Sequence, residues 1–286
     1  MTTFVNTPFG ALEGTEQDGV YRFLGVPFAE KPLGELRFRA PQMVRPWTET
    51  RQATGYEKDP MQANLVLGPE HYSEDCLYLN LWVPETTAKK LPVMVWVPGG
   101  AFATGGSGAV DPEGPSIYDC QQLAKDGGCI VVSISYRLNV FGFLNLSQFS
   151  SRFDDNIGMR DIIMALRWVQ EAIASFGGDP ENVTLVGESA GGEAISALLL
   201  IDEAKPYFHK AIIESNCFGS FYTQEEEREI CELYLQYAGL TADKAEGLLT
   251  LPYEKLIEAG RALDAYVAEH YTGRCSFCPV VDGIFL

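Results

Sequence analysis

The chain has 286 residues, of which 46% are apolar and 12% aromatic, so it can bury a large core in one or two domains. Its 21 Lys and Arg residues against 39 Asp and Glu residues give a formal net charge of −18, which argues against binding to nucleic acid or anionic membrane surfaces. The acidic balance is most simply a solubility feature, although it would also suit a cationic substrate.

The N-terminus and the cysteines bear on where the protein works. Residues 1–7 lack the basic region and the apolar core of a signal peptide, and no apolar run is long enough to span a membrane. The seven cysteines are odd in number and scattered, so a disulfide framework is not expected. Together these features predict a cytoplasmic protein with reduced thiols and no membrane association.

Cys275 and Cys278 have the spacing of a redox pair or of half a zinc site. A second pair is missing from the sequence, and the stretch they belong to predicts an extended segment. Three residues of strand separate Cα atoms by roughly 10 Å, which is too far for a disulfide bond. We therefore expect two reduced thiols and no metal site here.

Short strands are predicted for the first third of the chain. Alternating runs at 3–9 and 20–24, separated by glycines, predict an antiparallel hairpin or meander. The proline-rich residues 25–47 predict a long ordered loop that wraps the surface. Residues 74–84 predict an internal strand, because large side chains would lie on both of its faces.

From residue 91 onward, predicted strands and helices alternate. The strands are 91–97, 129–136, 183–186 and 210–215, and the helices are 116–125, 160–176 and 192–200. This alternation predicts a doubly wound α/β fold with parallel strands. Residues 223–270 predict two or three acidic helices, the first of them capped by Thr223.

Residues 187–191, Gly-Glu-Ser-Ala-Gly, match the pattern G-x-S-x-G. They follow a predicted strand and precede a predicted helix, which is the context of a nucleophile elbow. There the serine takes strained backbone angles, its hydroxyl is exposed above the sheet, and the next N–H group lies at a helix N-terminus. Outside that context the pentapeptide would equally suit a glycine-rich turn with an incidental serine. The context predicts that Ser189 is a nucleophile.

A second glycine-rich stretch, Val-Pro-Gly-Gly-Ala-Phe at 97–102, comes at the carboxyl end of the strand predicted for 91–97. Its backbone N–H groups could turn toward Ser189 and complete an oxyanion hole. The alternative is an ordinary loop whose glycines only allow the chain to turn. The position of this stretch upstream of residues 187–191 favours the catalytic interpretation.

Several short stretches of the sequence, together with residues 187–192, match motifs of a known family in the same order along the chain. They lie at 23–29 (Phe-Leu-Gly-Val-Pro-Phe-Ala), 74–80 (Glu-Asp-Cys-Leu-Tyr-Leu-Asn), 135–138 (Ser-Tyr-Arg-Leu), 141–144 (Phe-Gly-Phe-Leu), 156–161 (Asn-Ile-Gly-Met-Arg-Asp) and 176–180 (Phe-Gly-Gly-Asp-Pro). By these motifs the chain resembles the type-B carboxylesterase/lipase family. That family contains the para-nitrobenzyl esterases and the cholinesterases. The resemblance runs from about residue 5 to the end of the chain.

The resemblance implies an α/β-hydrolase fold and hydrolysis of small-molecule carboxylic esters through an acyl-serine intermediate, without a metal or organic cofactor. It implies that Ser189 is the acyl-forming nucleophile and that the amides of Gly100, Ala101 and Ala190 form the oxyanion hole. Glu188 matches the family's acidic residue beside the serine, which we expect to belong to a buried network rather than to the catalytic triad.

The chain departs from the family in three respects. Pro98 replaces the usual His or Tyr before the glycines, which could alter the entry to the loop. Cys76 has no cysteine partner before the Pro-x-Gln stretch at 60–62, in agreement with an intracellular protein free of disulfides. Residues 277–283 resemble the family's mid-chain motif, after which the triad acid and histidine normally follow.

The three histidines of this sequence are His71, His209 and His270, and each is more simply a packed or solvated side chain than a catalytic base. We therefore expect residues 1–286 to be the N-terminal portion of a single α/β-hydrolase domain, with weak or no activity alone. The central sheet would be mostly parallel, with helices on both faces, and incomplete at the C-terminus, and residues 223–270 would form an insertion or cap-like region. The alternatives are a non-catalytic binding or adhesion protein and an inactive remnant.

Overall fold

The computed structural model describes residues 3–62, 68–108, 118–216, 221–271 and 273–286. The strands in these ranges are β1 (Phe4–Thr7), β2 (Gly10–Glu13), β3 (Thr15–Gln17), β4 (Val20–Pro27), β5 (Arg51–Gln52), β6 (Asp59–Pro60), β7 (Tyr72–Ser73), β8 (Tyr78–Pro84), β9 (Leu91–Val97), β10 (Ile130–Ile134), β11 (Gly178–Glu188), β12 (Lys210–Glu214), β13 (Tyr222–Thr223) and β14 (Val280–Val281). The α-helices are α1 (Gln121–Gly127), α2 (Asn139–Phe143), α3 (Ile157–Ala172), α4 (Ala190–Leu198), α5 (Gln224–Tyr237) and α6 (Tyr253–His270). A 3₁₀ segment, Ala242–Leu249, lies between α5 and α6.

A seven-stranded sheet in the order β12-β11-β9-β10-β8-β4-β3 forms the centre of the molecule. The strands β12, β11, β9 and β10 are parallel to one another, as their βαβ connections predict. The other three pairings, β10 with β8, β8 with β4 and β4 with β3, are antiparallel. The expected sheet was mostly parallel, whereas half of these six pairings are antiparallel.

The antiparallel pairing of β3 with β4, at the edge of the sheet, has a local cause. Asp18 and Gly19 join β3 to β4 and have φ values of 52° and 80°. Two residues with positive φ form the turn that suits the twist of a hairpin, and a two-residue connection can only join antiparallel strands. The N-terminus thus forms antiparallel hairpins, as predicted, but the predicted runs 3–9 and 20–24 do not pair with each other, because β1 pairs with β2 outside the central sheet and β4 pairs with β3 within it.

Helices cover both faces of the sheet, as expected. On one face, α3 and α4 pack into the main core, and α3 is buried over most of its circumference, with Leu166, Trp168 and Val169 among its buried residues. On the other face, α1 packs against β4, β8 and β10, where its Ala124 lies in a smaller cluster with Trp82. The predicted helix 116–125 begins later, at Gln121, and its first two residues lie outside the described ranges.

The C-terminal helices α5 and α6 share the main core with the sheet. Thr223 caps α5 through a capping box with Glu226, as the sequence predicts. Tyr234 of α5 is fully buried, and its hydroxyl group donates to the carbonyl of Leu256 on α6. Asn156 pairs with both the N–H and the carbonyl of Val280 and so ties the start of α3 to β14. The helices α5 and α6 therefore belong to the same hydrophobic core as the central sheet.

The long loop predicted for residues 25–47 is largely confirmed. Here β4 continues to Pro27, and a short 3₁₀ turn, Gly34–Leu36, interrupts an otherwise irregular path.

Among the described residues, no helix is both long enough and apolar enough to cross a membrane.

Candidate functional site

Ser189 occupies the turn between β11 and α4. Its backbone angles are φ 55° and ψ −122°, which L-amino acids rarely adopt. The Ser189 N–H group donates to the carbonyl of Glu214 at 2.9 Å, and the Ser189 carbonyl accepts from the N–H group of Glu193 at 2.9 Å. The strained turn is therefore held by the neighbouring strand on one side and by its own helix on the other.

Two glycines allow this turn to pack closely. A Cβ atom on Gly191 would lie 2.1 Å from the carbonyl oxygen of Val97, and one on Gly187 would lie 2.6 Å from the backbone of Gly191. No side chain fits at these distances, so α4 can start directly against the end of β9 only with glycine at these positions.

The glycine-rich loop at 98–102 lies against the Ser189 turn. A Cβ atom on Gly99 would lie 2.5 Å from the carbonyl oxygen of Glu188. The three residues that follow Gly99 all have positive φ, with 116° at Gly100, 54° at Ala101 and 55° at Phe102. These positive φ values go with a tight turn, in which the N–H groups of Ala103 and Thr104 donate to the carbonyl of Gly100.

Hydrogen bonds fix this loop at both ends. The Tyr136 hydroxyl group donates to the carbonyl of Pro98 at 2.6 Å, and the N–H group of Asn139 donates to the carbonyl of Phe102 at 2.7 Å. Gln62 contacts the backbone of Gly105 through both its amide nitrogen and its amide oxygen. Pro98 lacks an N–H group but uses its carbonyl as an anchor, so the loop keeps a defined position at this departure from the family.

A cavity of about 220 Å³ lies beside Ser189. Its lining consists of Ala101, Phe102, Ser189, Ala190, Glu193, Gly273 and Cys275. The structure thus brings Ala101 and Ala190 together with Ser189, as the sequence predicts. Gly100 is not part of this lining, and it lies one residue before Ala101 in the same loop.

Four lining residues are not among the predicted site residues, namely Phe102, which ends the glycine-rich stretch, and Glu193, Gly273 and Cys275, which lie outside it. Glu193 is buried and follows Ser189 by four positions, a helical spacing that could have placed it on the same face as the serine. Gly273 and Cys275 come from the segment after α6, more than eighty residues from Ser189 along the sequence. No local pattern marks that segment as part of the site.

The expectation of a buried Glu188 is wrong, because its side chain is exposed. Alternation along β11 places Glu188 on the same sheet face as Thr184 and Val186. The helix on that face, α1, packs against β4, β8 and β10 rather than β11. Glu188 consequently reaches solvent at the end of its strand.

The chain between Cys275 and Cys278 is bent rather than extended, which corrects the expected separation of the two thiols. The Cys278 thiol group donates to the carbonyl of Cys275 across a distance of 3.4 Å, and strand β14 begins only at Val280. All six cysteines in the described ranges are free thiols, and Cys217 lies outside those ranges.

None of the three histidines, all of which the structure describes, lines the cavity. His209 lies just before β12, and its Nδ1 accepts from the N–H group of Val183 at 3.3 Å. His270 ends α6 and stacks on Tyr266, with 4.0 Å between the ring centroids. His71 is half exposed at a distant loop.

The described residues contain no group of three or more His, Cys, Asp or Glu side chains that could hold a metal ion. Near the glycine loop, burial raises the pKa of Asp59 to about 6, and a hydrogen bond from the N–H group of Gly108 acts in the opposite direction. This carboxyl group therefore belongs to the support of residues 105–108 and not to the cavity.

Comparison with proteins of known sequence finds carboxylesterases and related esterases. The sequence profile of the carboxylesterase family matches residues 1–286. Para-nitrobenzyl esterase of Bacillus subtilis (strain 168) is 41% identical over 264 residues, which is 91% of this chain and 53% of that protein. Human carboxylesterase 5A is 40% identical over 283 residues, or 92% of this chain and 46% of that protein. The chain thus spans about half the length of these relatives.

Solved structures agree with the sequence comparison. A PNB esterase superimposes with a TM-score of 0.90 at 39% identity, over 99% of this chain and 58% of that one. A Geobacillus stearothermophilus carboxylesterase superimposes with a TM-score of 0.88 at 39% identity, over 99% of this chain and 56% of that one. Both are α/β-hydrolases, and the mixed sheet described above agrees with that fold. The chain belongs to the carboxylesterase family.

Proposed function

We propose that this chain carries the nucleophile and the oxyanion-binding part of a carboxylic ester hydrolase. The observation that carries the proposal is the position of Ser189. Its backbone has positive φ at the end of a parallel strand, and it shares a cavity with the loop residue Ala101 and the helix residue Ala190. These features support the assignment of a nucleophile elbow, in which a serine hydroxyl group meets a carbonyl carbon held by backbone donors.

In the proposed reaction, Ser189 Oγ attacks the carbonyl carbon of a small ester. The N–H groups of Gly100, Ala101 and Ala190 donate to the oxygen that becomes negatively charged. The alcohol then leaves, the acyl group stays on Ser189, and water releases the acid. Each donor of this kind is worth on the order of 10²–10³ in rate. Support comes from the positive φ values of Gly100 and Ala101 and from the position of Ala190 at the first turn of α4.

A general base is also needed, since a neutral serine hydroxyl group is a weak nucleophile. No histidine of this chain lines the cavity, and the exposed Glu188 has no histidine to orient. We therefore propose that residues 1–286 alone acylate slowly and turn over weakly or not at all. The activity of a complete esterase would require an acid and a histidine beyond these residues.

We also propose that residues 223–270 act as a cap-like region of the domain. Support comes from Gly273 and Cys275, which directly follow α6 and line the Ser189 cavity. The substrate would then enter beneath the end of α6. A cytoplasmic location stays a prediction, supported by the six free thiols of the described residues.

The test is covalent labelling of the purified chain with an alkyl fluorophosphonate, followed by peptide mapping. We expect label at Ser189 and none in Ser189→Ala. Ser196→Ala is the matched control, because Ser196 lies on the same helix with its hydroxyl group bonded to the Gly192 carbonyl. This variant should be labelled like the parent chain. Added imidazole should accelerate labelling, since it supplies the missing base.

A folded chain that is not labelled at Ser189, with or without imidazole, would contradict the proposal. Circular dichroism and a cooperative urea transition establish that the chain is folded before this result is interpreted. Such a result would favour a non-catalytic binding role, with Ser189 serving only to make the turn.

A further inference from the structure

The segment that follows α6 places a pair of thiols at the Ser189 cavity. Cys275 is partly exposed and lines that cavity, whereas Cys278 is 1% exposed behind it. The carbonyl of Cys275 accepts from the Tyr222 hydroxyl group at 2.7 Å and from the Cys278 thiol group at 3.4 Å. Both contacts are to the backbone of Cys275, so they hold the bend between the cysteines, and with it residue 275, at the cavity.

The two thiols differ in their ionisation. The neighbouring Cys278 thiol group lowers the pKa of Cys275 to about 7, against burial and against the negative charges of Asp264 and Glu193. The proximity of Cys275, together with burial, raises the pKa of Cys278. The lowered pKa of Cys275 favours the thiolate, the form that acts as a nucleophile. Tyr222 also faces the pair, and its pKa is raised.

The other cysteines outside this pair that the structure describes have a raised pKa. Cys76, Cys129 and Cys231 are buried, and burial raises the pKa of each of them. Cys120 is partly exposed like Cys275, but burial and the neighbouring Asp119 raise its pKa to about 12. Among the described cysteines, accessibility, a lowered pKa and a neighbouring thiol therefore coincide at Cys275 alone.

We propose that Cys275 is a disulfide-reactive site of the Ser189 cavity and that Cys278 is its resolving thiol. In the first step, the Cys275 thiolate attacks one sulfur of a small disulfide. A bond forms between Cys275 and that sulfur, and the second half of the disulfide leaves as a thiolate. In the second step, the Cys278 thiol group loses its proton and attacks Cys275 Sγ. This step releases the first half of the reagent as a thiol and leaves a Cys275–Cys278 disulfide.

The charges around the cavity select the class of disulfide. Glu193 lies in the lining, Asp264 acts on Cys275 from α6, and the whole chain carries a net charge of −18. Arg274 is engaged with Glu226 at 2.9 Å and lies over the Tyr222 ring. An anionic reagent is therefore repelled, and a small neutral or cationic disulfide is favoured. The cavity of about 220 Å³ also limits the size of the adduct.

This chemistry does not depend on catalysis by Ser189. An adduct on Cys275 would occupy the cavity beside the serine, so it should slow fluorophosphonate labelling of Ser189 if the proposed function is right. If Ser189 is never labelled, the thiol reaction itself can still be measured by mass. The two proposals can therefore fail separately.

The experiment treats the chain, in a Cys217→Ser background, with cystamine, bis(2-hydroxyethyl) disulfide or glutathione disulfide, and follows intact mass and peptide adducts. That background leaves only thiols that the structure describes. We expect Cys275 to react at neutral pH at least about tenfold faster than Cys120, its partly exposed control. Cystamine and the neutral disulfide should react faster than glutathione disulfide, and the product should be the internal disulfide, which carries no adduct mass.

Variants of Cys278 separate its effect on the reactivity of Cys275 from its role as the resolving thiol. Cys278→Ala removes the hydrogen-bond donor, so adduct formation at neutral pH should slow severalfold, and the mixed disulfide should persist. Cys278→Ser keeps a donor, so the rate should recover while the mixed disulfide still persists. Cys275→Ser should abolish the fast reaction.

Three results would each overturn the proposal. One is a Cys275 that reacts no faster than Cys120. Another is a parent chain in which the mixed disulfide accumulates as it does in Cys278→Ser. The last is a glutathione disulfide reaction as fast as that of cystamine, which would overturn the assigned class of reagent.

Discussion

Glu227 lies on α5 and is 1% exposed, with its carboxyl group against Asn145 in the segment that follows α2. Its Oε1 accepts from the N–H group of Asn145 at 3.0 Å and from the Asn145 side chain at 3.2 Å. Its Oε2 has no hydrogen-bond partner among the described residues. Burial raises the pKa of Glu227 to about 8, and the hydrogen bonds from Asn145 only partly offset this effect. Glu227 is therefore mostly protonated in the folded chain at neutral pH.

Protonation of Glu227 makes the stability of the chain depend on pH. Between the ordinary value of 4.5 and about 8, the folded state holds a proton that the unfolded chain has released. The free energy of unfolding must therefore fall as pH rises through this window, by on the order of a few kcal/mol, and level off above it. Glu227→Gln imitates the neutral acid, so it should remove this decline. Urea unfolding at about pH 5 and about pH 9 measures the difference.

The control for this prediction is Glu229→Gln, an exposed position two residues along the same helix. It should leave the pH dependence as it is in the parent chain. If Glu227→Gln and Glu229→Gln show the same decline with pH, the buried carboxyl group is not its source.

The contact between α4 and β9 is the element-scale feature on which the site depends. A Cβ atom at position 191 would lie 2.1 Å from the Val97 carbonyl oxygen, a backbone atom that cannot rotate away as a side chain could. Gly191→Ala should therefore push α4 away from the sheet, destabilise the chain by about 1–3 kcal/mol and reduce fluorophosphonate labelling of Ser189 at least tenfold. Labelling rate and urea midpoint are the two measurements.

Gly55→Ala provides the control, because a Cβ atom there meets nothing within 4 Å. It should change neither measurement appreciably. Equal labelling of Gly191→Ala and Gly55→Ala would mean that the serine does not depend on this close approach.

The start of α5 is a second element whose contribution can be measured. Thr223 Oγ1 accepts from the N–H group of Glu226 at 3.3 Å, and Glu226 Oε2 accepts from the N–H group of Thr223 at 3.0 Å. Thr223→Ala removes one half of this capping box and should cost about 1 kcal/mol of stability. Thr223→Ser keeps the hydroxyl group and should therefore retain most of the stability that the cap contributes. Thermal unfolding of the two variants checks the difference, and equal losses would exclude the cap as the cause.

Elements with a local signal were predictable from the sequence. The apolar run at 91–97 matches β9 residue for residue, and Thr223 begins α5 as its capping pattern indicates. The strand, turn and helix around Ser189 also follow from neighbouring residues alone. In each case the interactions that define the element lie within a few positions along the chain.

Features that depend on distant parts of the chain were not predictable in this way. The exposure of Glu188 depends on which strands α1 covers, and the sequence of β11 holds no information on that. Cys275 reaches the Ser189 cavity only because α5 and α6 dock on the core and return the chain toward α4. The antiparallel half of the sheet likewise depends on which strands pair with β8, and contacts between residues distant in the sequence decide that pairing.

At the scale of the whole molecule, β12 ends the seven-stranded sheet, with no further strand beside it among the described residues. Every residue of β12 is at least partly exposed, and Ile212 is 44% exposed. An open edge that carries apolar side chains can pair with the same edge of another copy. We therefore expect the isolated chain to self-associate as its concentration rises, despite its net charge of −18.

Ile212→Lys should oppose this association, because a lysine on an edge strand places charge where a second strand would pair. Sedimentation velocity over a range of concentrations should show a larger monomer fraction than in the parent chain. Leu200→Lys is the matched control, since Leu200 is 70% exposed just beyond α4 and lies outside the sheet. It adds the same charge without touching the edge. If both variants raise the monomer fraction equally, net charge governs association, and the open edge of β12 does not.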